Sequence, residues 1–247
     1  MFKLTLQTSK KILAHNSSIL HLIFSINPNK KETINHYEIY FVRHGRTEWN
    51  QEGRFQGASG DSPLLPSAVE ELHILGKHLA QTQFGKIFSS DLPRAIRSAE
   101  IIQEESQFPT KIVSVPELRE WRLGKLEGAK ISTIEAIYPH QMTAFRHNLS
   151  QFNHTFFDAE SVYHTTHRTI YFIKTLKDKD YEQVLIVGHG ANLTASIRTM
   201  LGYDTPLLRK NGGLTNASIT ILETKDFENF ELITWNNTDY LVEKAEN

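Results

Sequence analysis

The sequence predicts an α/β protein, a three-layer α/β/α sandwich around a mostly parallel central sheet, and three observations carry that prediction. Short strand-like segments with apolar centres recur at 38–42, 86–89 and 111–115, and a continuous apolar run at 184–187. Between them lie segments with apolar residues at three- and four-residue steps, the period of an amphipathic helix. Strands without polar alternation are apolar on both sides, and such strands need helices above and below, as parallel sheets have.

The elements follow in chain order. A strand over 38–42 precedes a helix after Pro66, where Val69, Leu72, Leu75 and Leu79 share a face. A second strand covers 86–89. A helix then begins near Asp91, with Pro93 in its first turn, where a missing N–H costs nothing, and Ala95, Ile96, Ala99 and Ile102 as the inner stripe. Residues 111–115 form a third strand. A helix across about 160–176, a continuous apolar strand at 184–187 and a helix over about 192–201 come next. Two closing strands are read at 218–222 and 230–235.

Residues 1–36 stand apart from the domain read at 37–247. They carry Lys3, Lys10 and Lys11, an apolar run at 19–26 broken by His21, and a polar run at 27–32. The apolar run is far short of the roughly 18 residues that span a bilayer, and no small-x-small cleavage site follows it. This stretch reads as an N-terminal extension, partly helical or poorly ordered.

Composition excludes several classes of function. A net charge of −1 gives no bulk attraction to nucleic acid or anionic lipid, so neither nucleic acid nor membrane is expected as a partner. The absence of cysteine removes disulfides, thiol nucleophiles and thiolate metal sites, and fits a cytoplasmic location. There is no Gly-x-x-x-x-Gly-Lys loop and no Gly-x-Gly-x-x-Gly fingerprint, so no nucleotide cofactor is expected. His164 and His167 have helical spacing but no accompanying carboxylate pattern, and no metal site is expected there.

Two strands end alike. Val42-Arg43-His44-Gly45 and Val187-Gly188-His189-Gly190 each set a histidine just beyond an apolar run. If the strands are parallel neighbours, both imidazoles reach one crevice at the carboxyl ends of the sheet. The adjacent glycines permit close approach of backbone amides, and helices starting nearby turn their positive ends toward an anion such as phosphate. Arg94 falls in the first turn of a helix, where a cation opposes the macrodipole by about 0.3–1 kcal/mol. Either an anion relieves that, or Arg94 is a surface residue paired with Asp91 or Glu100; Arg97 reads as solvated. The segment 117–128 carries three glutamates and three basic side chains and reads as a strand-exit loop, a kind of segment that is usually solvated.

With these pieces in place, the sequence resembles the histidine phosphatase superfamily, also called phosphoglycerate mutase-like. The motifs are Arg43-His44-Gly45-Arg46-Thr47-Glu48-Trp49-Asn50, Arg54-Phe55-Gln56-Gly57 with Asp61-Ser62-Pro63-Leu64, Ser90-Asp91-Leu92-Pro93-Arg94-Ala95, Leu118-Arg119-Glu120 with Glu127-Gly128, and Val187-Gly188-His189-Gly190. They occur in family order over about 38–235.

The resemblance implies a phosphoglycerate mutase-like fold of the phosphatase branch, and it implies roles. His44 is the nucleophile that carries the phosphoryl group as phosphohistidine. Arg43, Arg94 and His189 surround the phosphoryl oxygens, and Asn50 adds a neutral donor. Glu120 protonates the leaving alkoxide and later activates water, which implies activity best at mildly acidic to neutral pH. Gln56 and Gly57 are implied substrate contacts, and Trp121 and Arg122, next to the acid, are placed at the border of the leaving group. Arg46 stands where family members often have Glu or Gln; it reads either as a surface residue or as a contact to a second anionic group. Tyr138, Phe145, Phe152, Phe156 and Phe157 read as core, with one or two at the site entrance.

The implied activity is hydrolysis of a small phosphorylated metabolite without metal or cofactor. A phosphoglycerate mutase and a catalytically silent module binding phosphorylated ligands are the alternatives. Mutases of the family carry a longer insertion between acid and second histidine, whereas His189 here follows Glu120 by 69 positions (189 − 120).

Overall fold

A computed structural model describes residues 36–177 and 179–241, so the extension read at 1–36 lies, apart from His36, outside the described residues. One six-stranded sheet organises the rest, in the order β3-β2-β4-β1-β5-β6. Its strands are β1 (Tyr37–Arg43), β2 (Lys86–Ser89), β3 (Ile112–Ser114), β4 (Gln183–Gly188), β5 (Ile219–Thr224) and β6 (Phe230–Asn237). The first four run parallel, and β5 and β6 close the sheet antiparallel.

The period of two in a strand sorts the apolar runs onto two faces. Ile39, Phe41, Val184 and Ile186 face one side with Ile173 of α6 (Val162–Lys174) and Leu193 and Ile197 of α7 (Gly190–Met200). Val42, Leu185 and Val187 face the other, against Leu72 and Leu75 of α2 (Pro66–His78) and Ala95, Ala99 and Ile102 of α3 (Pro93–Glu104). Helix layers on both faces are what the unalternating strands require, and the three-layer expectation holds.

Several details differ from the sequence reading. In α3, Ile101 is buried and Ile96 only half so, because the stripe turns to include Arg94 and Ser98. α7 starts two residues earlier than expected, with His189 as its N-cap. Three short helices carried too little periodicity to be seen: α1 (Glu48–Gln51), α4 (Ile131–Ile137) and α5 (Pro139–His147). α1 is fixed by a capping box, in which Thr47 Oγ1 accepts from Asn50 N and Asn50 Oδ1 accepts from Thr47 N. A third apolar cluster gathers Phe55, Trp121, Met142, Phe145, Phe152 and Phe157 away from the sheet. Among the described residues, no helix is long and apolar enough to cross a membrane.

Candidate active site

β1 and β4 are hydrogen-bonded parallel neighbours with Arg43 opposite Gly188, and His44 N donates to Gly188 O at 3.0 Å. Register therefore brings the next residue of each strand together. The imidazoles of His44 and His189 lie 5.2 Å apart, centroid to centroid, and both are buried.

The local bonding of His44 defines its chemistry. Its Nδ1 lies 2.7 Å from Gly45 O. A carbonyl only accepts, so Nδ1 carries the proton and Nε2 keeps the lone pair. Burial first, then the charges of Arg94 and Arg43, push its pKa well below the ordinary histidine value, so the ring is neutral at pH 7. The backbone around it is anchored: Asn216 Nδ2 donates to His44 O at 2.9 Å, and Gly45 N donates to Ser98 Oγ at 3.0 Å. Gly45 is thus not a free amide donor. A Cβ there would meet Leu72 Cδ1 at 2.8 Å, so close packing is what needs the glycine.

His189 has Nε2 2.8 Å from Ser90 Oγ, while its buried Nδ1 has no partner among the described residues. Burial and then Arg94, His44 and Arg43 hold its pKa well below the usual value as well. Arg94 is buried, which rules out the surface pairing: it donates to Asp61 Oδ1 (2.7 Å), Gly60 O (2.8 Å) and Gly57 O (3.0 Å), and its Nε has no partner. Asp91 pairs with Arg119 instead, and Glu100 with the exposed Arg97. Arg43 donates through Nη1 to Leu214 O at 2.6 Å and leaves a buried Nε unpaired. Burial pushes its pKa down to about 10, with Glu120 opposing and Arg94 adding to the shift.

Glu120 departs from the solvated-loop reading. Arg119, Arg122 and Lys125 are exposed, but Glu120 is buried. Its Oε1 accepts from Trp121 N (2.7 Å) and Asn192 N (2.8 Å), and its Oε2 from Ala191 N (2.9 Å). The N-terminal amides of α7 are therefore turned on the carboxyl of Glu120. Of its four acceptor positions, one remains, on Oε2. Arg168 fixes the loop by donating to Glu117 O (2.6 Å), Arg119 O (2.8 Å) and Glu120 O (3.0 Å). Glu160 pairs with Arg168 at 2.9 Å, and Asn192 Nδ2 adds a bond to Arg119 O.

A cavity of ≈ 190 Å³ is lined by Arg43, His44, Asn50, Gln56 and Glu120, among others. Arg94 and His189 are not among its lining residues. Gly57 meets the expected substrate role only indirectly, since its carbonyl holds Arg94. Trp121 does not border a leaving group: it is fully buried, and its Nε1 donates to Glu160 O at 2.6 Å. Arg122 is exposed and does not line the cavity. The reason is the same for both, because the bonds that turn Glu120 inward leave its neighbours facing the core and the solvent. Arg46 is exposed too. Of the aromatic residues expected in the core, Phe145 lines the cavity and Phe156 is half exposed.

Sequence reasoning missed Ser98, Asn192, Arg168 and Arg209. Ser90 lay within a quoted motif, yet its contact with His189 has no sequence signal, and the others lie outside every motif. Arg209 lines the cavity, with Nη1 donating to Phe145 O at 2.9 Å and its guanidinium 4.5 Å above the Phe145 ring.

The model of the histidine phosphatase superfamily (branch 1) matches residues 39–238. The chain belongs to that superfamily. It is 30% identical over 211 residues to a protein of Proteus mirabilis named "Probable phosphoglycerate mutase GpmB", covering 84% of this chain and 92% of that one. Among solved structures, Bacillus stearothermophilus YhfR matches with TM-score 0.75 and 27% identity, over 83% of this chain and 99% of its own. A mycobacterial glucosyl-3-phosphoglycerate phosphatase matches with TM-score 0.72 and 26% identity, over 81% and 99%. Phosphatases and mutases thus both stand among the superfamily relatives of this chain, and the fold is phosphoglycerate mutase-like.

Proposed function

We propose that the protein is a phosphomonoesterase that hydrolyses a small phosphorylated metabolite through a phosphohistidine on His44. One observation carries the reading: the neutral imidazole of His44, with its lone pair on Nε2, shares the site with three buried side-chain nitrogens that have no hydrogen-bond partner among the described residues, Nε of Arg43, Nε of Arg94 and Nδ1 of His189. Unpaired buried donors around a nucleophile fit a phosphoryl group, whose oxygens accept from several sides.

In the first step, His44 Nε2 forms a bond to phosphorus as the ester P–O bond breaks, and the leaving oxygen takes a proton from Glu120. The transfer passes through Oε2, the carboxyl oxygen with an open position. Arg43, Arg94 and His189 stabilise charge on the phosphoryl oxygens during transfer. In the second step, Glu120 takes a proton from water, the water oxygen bonds to phosphorus, and the N–P pair returns to His44. The sum is ester plus water giving alcohol plus phosphate, with no cofactor. Asn50 and Gln56 complete the polar wall.

Hydrolysis is favoured over mutase chemistry by the 69 positions between Glu120 and His189 and by a small cavity with apolar residues such as Phe55 and Met142 in its wall. The mycobacterial phosphatase has also been solved with inorganic phosphate, which supports phosphate as a ligand of this fold. A chain without cysteine suits the cytoplasm. Phosphate release from 4-nitrophenyl phosphate by wild type and His44→Ala tests the reading, and full activity in the variant overturns it. Incubation with 3-phosphoglycerate and its bisphosphate decides the reaction class, since 2-phosphoglycerate formed faster than free phosphate makes the protein a mutase.

A further inference from the structure

A second groove lies apart from the candidate site, and the two share no lining residue. It measures ≈ 520 Å³, within the range of about 300–1,000 Å³ usual for ligand pockets. Leu201, Leu207, Leu232 and Trp235 wall it, with Arg198 and Lys210 as its charged members. Leu207 and Leu232 are 40% and 43% exposed, so large aliphatic side chains are left to water at one place. No carboxylate lines the groove.

Arg198 is buried, with its guanidinium 4.6 Å from the centre of the Trp235 ring and Nη1 donating to Leu208 O (2.9 Å) and Gly212 O (3.2 Å). Its Nε and Nη2 make no hydrogen bond among the described residues. Unlike Nε of Arg43, Arg94 and Arg209, neither atom is sealed from solvent. Burial lowers the pKa of the group, and the charge that opposes this is the Tyr203 phenol rather than a carboxylate. A buried cation without an acidic partner calls for an anion, and the free edge presents two parallel N–H bonds that match a carboxylate. The carbonyls held by Nη1 flank Lys210 in the chain, which keeps the second cation's backbone beside the first. Since Arg198 covers one face of Trp235, the remaining wall is mainly leucine, suited to an aliphatic body.

The segment between α7 and β5 separates this groove from the candidate site. Leu207, Lys210 and Asn211 line the groove, whereas Arg209, Gly213 and Leu214 line the cavity, and Leu214 O accepts from Arg43 Nη1. A ligand that orders Arg198 therefore orders a segment that also holds Arg43. We propose that the groove is a regulatory site for a small aliphatic carboxylate, its chain along the leucines and its charge on Arg198 and Lys210. Occupancy tightens phosphate binding beside His44. The site is defined by binding alone, and the coupling rests on the phosphate reading of the cavity.

The test titrates the full chain with octanoate by calorimetry. Octanoate binds at least about tenfold more tightly than octan-1-ol, which lacks the charge, and than acetate, which lacks the chain. Leu232→Asp and Lys210→Glu, both at exposed positions, each weaken octanoate at least about tenfold and leave turnover of 4-nitrophenyl phosphate in its absence unchanged. Absent binding, equal affinity for octan-1-ol, or binding that survives Leu232→Asp overturns the site. So does a wild-type dimer that Leu232→Asp splits, since the groove is then an interface between copies. At saturating octanoate, inorganic phosphate binds at least about threefold more tightly, and phosphate tightens octanoate by the same factor. Competition between the two puts octanoate in the cavity beside His44 and overturns the proposal, and independent binding overturns its regulatory half. Octanoate binding by a protein that binds no phosphate sinks the phosphatase reading and keeps the groove.

Discussion

On the sheet side of the cavity, Arg43 and His44 leave β1 and His189 leaves β4, immediately beyond strands paired residue for residue. On the opposite side, Glu120, Phe145 and Arg209 come from segments outside the sheet, and side chains hold them in place. Arg168 and Asn192 tie the Glu120 loop through its carbonyls, and Arg198 ties the Arg209 turn in the same way. A backbone ladder spreads its load over many bonds, so few single substitutions displace the histidines. The other wall depends on a handful of guanidinium and amide groups, each replaceable by one mutation. The paired histidines are thus built for constancy, while the opposite wall of the cavity is built from parts that change independently.

The contrast can be broken or sharpened by experiment. The largest effect is expected at His44: His44→Ala lowers turnover of 4-nitrophenyl phosphate by about 10³-fold or more while the fold persists, as measured by circular dichroism. Next comes Arg168, which touches no substrate. Arg168→Gln removes the guanidinium from three carbonyls and from Glu160, leaving Glu120 O without its side-chain donor, so kcat falls about tenfold or more with KM little changed. Partial recovery in Arg168→Lys marks positioning, whereas loss of folded protein with unchanged kcat per folded molecule marks a purely structural role.

A smaller effect concerns pH and stability. His44 and His189 have folded pKa values below their unfolded ones, so below about pH 6.5 the unfolded chain binds protons that the folded chain refuses. Stability contributed by these rings is therefore full above about pH 6.5 and declines as pH falls. Urea unfolding of His189→Asn is expected to show a shallower decline, by up to about 1.4 kcal/mol per pH unit. An unchanged slope means that the ring is protonated in the fold. The smallest effect is at Arg122, which follows the acid closely in sequence but is exposed. Arg122→Ala is expected to keep kcat/KM within about twofold on a small substrate.

The sheet side was also the legible side. His44 and His189 could be paired from sequence because two local patterns, each an apolar run ending in His-Gly, imply their neighbours through the rules of parallel sheets. Glu120 was reached through family resemblance, since nothing near it in the chain separates a buried acid from a solvated one. Arg94 stayed ambiguous because its partner Asp61 lies 33 positions away. Trp121 and Arg122 were misplaced by proximity in sequence, which does not fix direction where no regular element does. Arg168 and Arg209 left no trace, because their work is done on carbonyls 48 to 64 positions distant, and a carbonyl carries no side-chain signature.

The anchoring of His44 has a consequence for how the protein comes into being. Its carbonyl is held by Asn216, and Ala217 N donates to Arg43 O at 3.0 Å, so the earliest strand of the domain is clasped by residues near the far end of the chain. On a ribosome, His44 is made 172 residues before Asn216 and waits that long for its clasp. Truncation between Gly190 and Asn216 is therefore expected to yield fragments that contain every motif from Arg43 to His189 yet lack the clasp on His44.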